Sequence, residues 1–291
     1  MQFFFQSIRT ISYWKYALFS MDSVKTYFAV LGVGWTVVSV LDFFHVYERN
    51  DYGKGAVWLL VLVGVIVVLT TRRPVDKISY KVPGRDMGIE VRIGDLFRLT
   101  GQKVISTNTT FDTDIATGII SPNSIQGQFT NKFFPQNIDK LNQEIEKALD
   151  GLTFTDHVKE KGNRRQYPIG TIVNFNIGQE RFYWLAMANL NFNNTAETTL
   201  ENVLISLEML WREISLRGEM DRVVLPLIGT GRGRLSIGRK KLIGYIAESF
   251  VKASEQRTFS NKLVIVIHPD DVRNFGINLF QVKDLLGHLI G

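Results

Sequence analysis

The sequence predicts an α/β domain, a mixed sheet with helices on both faces, preceded by an all-α hairpin of two transmembrane helices. Three observations carry that expectation. Two long apolar segments lie close together near the N-terminus. Short β-rich runs alternate with amphipathic helical periods from residue 87 onward. Several of those runs end in loops bearing glycine, aspartate or asparagine, which is where α/β sheets bind ligands. The chain has 291 residues, 45% hydrophobic and 21% charged. That is room for one or two domains, and it excludes a disordered or collagen-like chain.

Taken in order, residues 1–26 mix aromatics (Phe3, Phe4, Phe5, Tyr13, Trp14, Tyr16, Phe19) with Arg9 and Lys15. Such a segment either lies at a lipid surface or packs as a helix on the soluble domain or on another subunit. Residues 27–44 then hold Asp42 as their single charge, and residues 56–71 hold none. As helices they reach about 27 and 24 Å, close to the hydrocarbon thickness of a bilayer. A polar connection of about eleven residues makes them a hairpin, 27–71. The alternative is a pair of buried core helices, or a buried strand for the β-branched second run. Asp42 is a costly intramembrane acid or one that snorkels to the interface.

Basic residues set the orientation. Arg9, Lys15 and Lys25 precede the first span, and Arg72, Arg73, Lys77, Lys81 and Arg85 follow the second. The connection holds only Arg49 and Lys54. Both termini are therefore expected on the cytoplasmic side. Residues 72–87 read as a linker and 88–291 as the soluble domain.

Within that domain, strands are expected at 89–93, 103–107, 171–177, 181–188, 222–228 and 262–267. Helices are expected at 137–149, 199–216, 237–251 and 279–289. The second helix carries Val203, Leu204, Leu207, Leu210, Trp211 and Ile214 at helical spacing. Cysteine is absent, which excludes disulfides, thiolate metal sites and a cysteine nucleophile. The four histidines, His45, His157, His268 and His288, are too scattered to form a metal site. A net charge of +6 suits an anionic lipid surface or a phosphate-bearing ligand. It is too dispersed to argue for nucleic acid.

Three strand ends stand out. Gly94-Asp95-Leu96 follows the first strand, and Asn108-Thr109-Thr110-Phe111-Asp112-Thr113-Asp114 follows the second. Gly229-Thr230-Gly231-Arg232-Gly233-Arg234 follows 222–228 and leads into a helix. Glycines let backbone N–H groups approach an anion, and a helix N-terminus adds partial positive charge. The last loop lacks the P-loop lysine, and Arg234 stands where the third dinucleotide-fold glycine belongs. A tight strand–helix connection explains the same glycines.

Together these loops resemble those of the macro domain, the ADP-ribose-binding module, over residues 88–290. Pro226-Leu227-Ile228-Gly229-Thr230-Gly231 matches that family's second phosphate loop. Gly94-Asp95-Leu96 resembles its adenine-contacting segment. Val104-Ile105-Ser106-Thr107-Asn108 matches its asparagine-ended strand in part. The family's triple-glycine first loop is missing, and residues 121–128 are its counterpart. The resemblance implies that Asp95 accepts the adenine amino group beside the Leu96 amide. It implies that Gly229, Thr230, Gly231, Arg232 and Gly233 cradle the diphosphate, with Ser124, Ile125, Gln126 and Gly127 closing from the other side. Asn108 would contact the distal ribose. Phe111 would stack on a ring or sit in the core, and Asp112 would meet the ligand's far end or cap a local turn.

A membrane hairpin followed by a divergent macro domain is similar to the ThsA effectors of type II Thoeris antiphage systems. That resemblance implies a bacterial inner-membrane protein with no cofactor and no catalytic residue. Its ligand would be histidine-ADP-ribose or a related derivative made by a TIR-domain partner. Binding would drive self-assembly, membrane disruption and abortive infection. The alternatives are a tethered ADP-ribosyl hydrolase and a passive ADP-ribose-binding scaffold.

Overall fold

The computed structural model describes residues 8, 11–46, 53, 55–217, 220–229 and 235–291. The chain divides into two compact units, Met1–Asp76 and Lys77–Gly291.

The first unit is helical: α1 (Ile11–Phe19), α2 (Met21–Phe43) and α3 (Ala56–Thr71). Ser20 starts α2 as its N-cap, accepting from the Ser23 backbone N–H at 3.2 Å. That cap places the helix start six residues ahead of the apolar run at 27. Tyr27 meets Gly64 and Gly34 meets Leu60, so α2 and α3 run antiparallel. A Cβ at Gly34 would lie 2.3 Å from the Leu60 side chain, and one at Gly64 2.8 Å from the Tyr27 ring. The two small residues let the helices approach closely. The α1 helix packs on this pair. Tyr16 receives a hydrogen bond from Arg72 at 3.3 Å, and Arg72 also lies 4.0 Å from Asp22. Burial raises the pKa of the Tyr13 hydroxyl.

Outward, α2 and α3 are greasy. Phe28, Val33, Trp35, Trp58, Leu59 and Leu62 are all more than half exposed. Helix α2 has 23 residues and is long and apolar enough to cross a membrane, whereas α3 has 16.

The second unit contains β1 (Lys77–Lys81), β2 (Gly88–Ile93), β3 (Gln102–Asn108), α4 (Ile125–Phe133) and α5 (Ile138–Leu149). Next come β4 (Thr155–Asp156), β5 (Arg165–Gln166), β6 (Ile172–Ile177), β7 (Glu180–Leu190), β8 (Ala196–Glu197) and α6 (Leu200–Arg217). It ends with β9 (Val223–Pro226), α7 (Arg239–Ala253), β10 (Lys262–Ile267), α8 (Pro269–Phe275) and α9 (Leu279–Ile290). The main sheet runs β1-β2-β10-β9-β3-β7-β6, with β8 beside β7, and β4–β5 form a separate ribbon. The central strands from β2 to β7 are parallel, and β1, β6 and β8 pair antiparallel. The sheet is mixed, as expected.

Period-two alternation explains the two cores. Along β7, Phe182, Trp184 and Ala186 join Ile105, Phe175 and Val224 on one face, under Phe129 of α4 and Leu141 and Ile145 of α5. Tyr183, Leu185 and Met187 are buried on the other face. That side is covered by α6 and α7, joined where Trp211 Nε1 donates to Ser249 Oγ at 3.0 Å. Phe129 alone packs edge-on or tilted against five other aromatic rings. Burial of such rings dominates the folding energy of the unit.

The expected linker 72–87 is corrected. Its middle, Lys77–Lys81, is the edge strand β1, in register with β2 from Lys77↔Arg92 to Lys81↔Gly88. Flanking lysines disguise the inward residue Ile78, and charged positions are what an edge strand tolerates. Helices α4 and α8 were likewise hidden. The first begins in a stretch whose serines and glycine resemble a loop, and the second has seven residues.

Candidate ligand-binding site

Parallel order brings the carboxyl ends of β2, β10, β9 and β3 to one edge, so the loops after them converge there. Strand β3 pairs with β9 only at Gln102↔Val223 and Lys103↔Val224. Beyond that point it continues to Asn108 beside β7, while β9 ends at Pro226 beside β10. The two strands part toward the edge that carries the candidate loops.

The loop after β3 is held by its own polar groups. A register shift at Thr107/Asn108 turns the chain out of the sheet. Asn108 Oδ1 accepts from Thr110 N at 3.1 Å and Asp112 N at 3.2 Å, and lies 3.0 Å from Thr110 Oγ1. Its oxygen is thus committed to the loop, while the Nδ2 hydrogens bond no described residue and remain able to donate.

Asp112 Oδ2 is paired with Lys159 and accepts from Thr110 Oγ1, and its Oδ1 accepts from Asn163 N at 2.7 Å. The Asp112 and Lys159 side chains are 2% and 0% exposed. Each charge is compensated only by the other and by the surrounding hydrogen bonds, which makes the arrangement intolerant of removing one partner. Gly162 has φ +86, and a Cβ there would lie 2.1 Å from Asp112 Oδ1. Only glycine lets the 157–164 segment close on the carboxylate.

These contacts correct two expectations. Asp112 does not present its carboxylate to a ligand, because both oxygens are used inside the protein. Phe111 is 1% exposed and packs against Tyr167 with ring centroids 5.9 Å apart, so it has no free face for stacking. It is core, held in a left-handed conformation at φ +47 by the polar groups on either side.

Residues 121–127 form a turn and the start of α4. Ser124 caps the helix, accepting from Gly127 N at 3.0 Å, while its hydroxyl donates to Ser121 O at 2.7 Å. A Cβ on Gly127 would lie 2.1 Å from Ser121 O, so the turn folds against the helix backbone itself. Gln126 is buried and donates to the Asp112 carbonyl, which ties α4 to the β3 loop. Ile125 packs on the aromatic core.

Asp95 caps the 3-10 turn Leu96–Arg98, accepting from Phe97 N at 2.9 Å, with Arg98 Nε 3.5 Å from its other oxygen. Its side chain is 47% exposed and remains accessible. Leu96 is buried. Gly229 has φ +75, and Leu235 N donates to its carbonyl at 3.1 Å, which closes the loop at its base. Thr230, Gly231, Arg232, Gly233 and Arg234 lie outside the described residues.

Lys159, Gly162 and Asn163 were not singled out from the sequence. They sit in a charged run, His157-Val158-Lys159-Glu160-Lys161-Gly162-Asn163-Arg164-Arg165, that resembles a solvated loop. Only the fold brings that run onto the β3 loop.

Asp114 ends the loop. The Thr117 hydroxyl, donating at 2.6 Å, holds its carboxyl below the ordinary aspartate range, helped by the Thr117 and Ala116 amides and by Lys161.

Comparison with known proteins agrees with this geometry. Residues 89–268 match the family model described as Thoeris protein ThsA, Macro domain. A curated relative, Thoeris protein ThsA of Bacillus amyloliquefaciens (strain Y2), is 23% identical over 284 residues, 93% of each chain. Among solved structures, an aspartate-to-alanine mutant of the Oceanobacillus iheyensis macrodomain is similar over 74% of this chain and 100% of its own. Its identity is 12% and its TM-score 0.50. The same macrodomain with ADP covers 73% and 97%, with 13% identity and a TM-score of 0.47. The match over residues 89–268, most of the second unit, shows that the chain belongs to the Thoeris ThsA macro-domain family.

Proposed function

We propose that this protein is a membrane-anchored antiphage effector whose macro domain binds an ADP-ribose-derived signal, histidine-ADP-ribose, produced by a TIR-domain partner. Binding drives self-association of the chain, and the clustered α2–α3 hairpins disrupt the bacterial inner membrane. Both termini and the macro domain lie on the cytoplasmic side. One observation carries the reading: a helical unit with an apolar exterior and a macro domain share one chain of the Thoeris family.

The site supports the ligand class. In this reading Asp95 offers its accessible carboxylate to the adenine amino group, Asn108 Nδ2 offers donors to the distal ribose, and Ser124–Gly127 at the start of α4 sit beside the diphosphate. A signal acts only if it binds the active state more tightly than the resting one. Self-association coupled to binding meets that condition and gives a threshold by mass action. The hydrolase alternative finds less support, because Asp112, the acid nearest Asn108, has both oxygens engaged within the protein.

The test reconstitutes the full chain in dye-loaded anionic liposomes and adds histidine-ADP-ribose. Leakage that follows saturation of the site is expected. Saturable binding without leakage would overturn the effector role. Asp95→Ala is expected to weaken binding about tenfold or more, the effect of losing a hydrogen bond to a charged group. Unchanged affinity would remove Asp95 from the adenine site.

A further inference from the structure

Three distant parts of the chain hold the loop that follows Asn108. The first is the end of β7: Thr109 N donates to Ala188 O at 2.9 Å, and Thr109 Oγ1 donates to Asn189 Oδ1 at 3.0 Å. The second is the helical layer: Gln126 of α4 donates to the Asp112 carbonyl, and Thr113 Oγ1 donates to Asn142 Oδ1 of α5 at 2.6 Å. The third is the 157–167 segment. Its Tyr167 N donates to Thr109 O at 2.9 Å, and its Asn163 Nδ2 donates to Thr110 O at 3.2 Å. Its Lys159 Nζ donates to Thr110 Oγ1 at 2.9 Å and to Asp112 Oδ2. One buried ammonium thus bridges the side chains of Thr110 and Asp112, the two residues that flank Phe111.

That bridge bears on Asn108. The backbone N–H groups of Thr110 and Asp112 both point at its Oδ1. Two donors aimed at one atom of an amide require that atom to be the oxygen, so the orientation of the amide is fixed and Nδ2 is the group left to donate. The two N–H groups stand on either side of Phe111, whose φ of +47 is costly for an aromatic residue and persists only while its surroundings hold it. A buried ion pair adds little net stability over an apolar pair of the same volume. Here it ties together the two residues whose N–H groups set the amide.

We propose that Lys159 is a positioning residue for the nucleotide site: through Thr110 and Asp112 it holds the Asn108 amide with Nδ2 presented to the ligand's distal ribose. The assignment rests on the ADP-ribose reading above and deepens it. Without the bridge, Phe111 returns to an ordinary backbone angle, the two N–H groups turn away, and the amide is free to rotate. The loss falls on the distal ribose and spares the adenine and diphosphate contacts.

The experiment titrates the full-length chain in detergent with ADP-ribose and with ADP, which lacks the distal ribose. The wild type is expected to prefer ADP-ribose. Asn108→Asp, which replaces the Nδ2 donors with an acceptor, should remove that preference. Lys159→Met should weaken ADP-ribose about fivefold, as losing one oriented hydrogen bond does, and leave ADP unchanged. The double variant Lys159→Met/Asp112→Leu separates positioning from stability, because the fold recovers while the preference should stay lost. Thr110→Val removes the bridged hydroxyl at constant shape and should lower the preference, whereas Thr110→Ser should keep it. A preference that returns with stability in the double variant, or that survives Thr110→Val or Asn108→Asp, would overturn the assignment and leave ADP-ribose binding standing. So would equal wild-type affinities for the two nucleotides. Failure of the wild type to bind either would remove the nucleotide reading and the assignment with it.

Discussion

The two units of this chain place their apolar residues in opposite ways. In the α/β unit, Trp184, Phe129 and Tyr183 are sealed between sheet and helices, and the buried Asp112 and Lys159 are paired. In the helical unit, Val33, Trp35, Trp58 and Leu62 face outward, and the inward contact is made by glycines against Tyr27 and Leu60. One unit hides its apolar side chains between sheet and helices. The other exposes most of them, and close approach at Gly34 and Gly64 joins the helix pair beside a few buried residues such as Ala17 and Val68.

The sharpest break in this comparison targets the buried charges of the α/β unit. Lys159→Met should lower its stability by about 3–5 kcal/mol, because Asp112 is left charged and buried. Adding Asp112→Leu should recover much of that loss. Denaturant unfolding of the wild type, the single and the double variants reads the cycle. A small loss in the single variant would mean that the pair is not the brace described here.

The next prediction strikes the other unit. Val33→Arg puts a charge on the exposed face of α2 and should leave the unfolding midpoint of the α/β unit unchanged. It should disfavour membrane insertion by about 2.5–3.5 kcal/mol, the penalty for arginine near a helix centre. Carbonate extraction of membranes checks it, and an undiminished membrane fraction would show that this face does not meet lipid.

The smallest effect concerns pH. Asp114 has a depressed pKa, so its stabilising contribution is present above the ordinary aspartate value of 3.8 and fades as pH falls through the lower folded value. Thr117→Val removes the strongest contact and should move the acid unfolding midpoint slightly upward. An unmoved midpoint would remove Asp114 from the acid response.

Much of the fold was legible because burial leaves a periodic trace. Strand β10 is a run of apolar residues closed off by Pro269, and α6 repeats its apolar residues at helical spacing, so both were placed within a residue. The trace failed where polar residues cover the inward ones. Strand β1 shows only Ile78 fully buried among lysines, and α4 has a glycine and two glutamines in its first four positions. In the candidate site, Gly94, Asp95 and Asn108 stand out in the sequence as small and polar residues that follow or end apolar strands, and residues 230–234 of the glycine loop lie outside the described residues. The roles of Phe111 and Asp112 were not, since an aromatic or an acid in a loop has the same letter whether it faces ligand or core.

By itself, then, the sequence determined which segments are apolar, with what period, and where the strands end. Those properties depend on neighbours a few positions away. Tertiary structure alone decided that Lys159 neutralises Asp112 across 47 positions and that Gly162 leaves room for the contact. Electrostatic and steric contacts act through space, and the spacing of residues along a chain does not record which distant segments will share it.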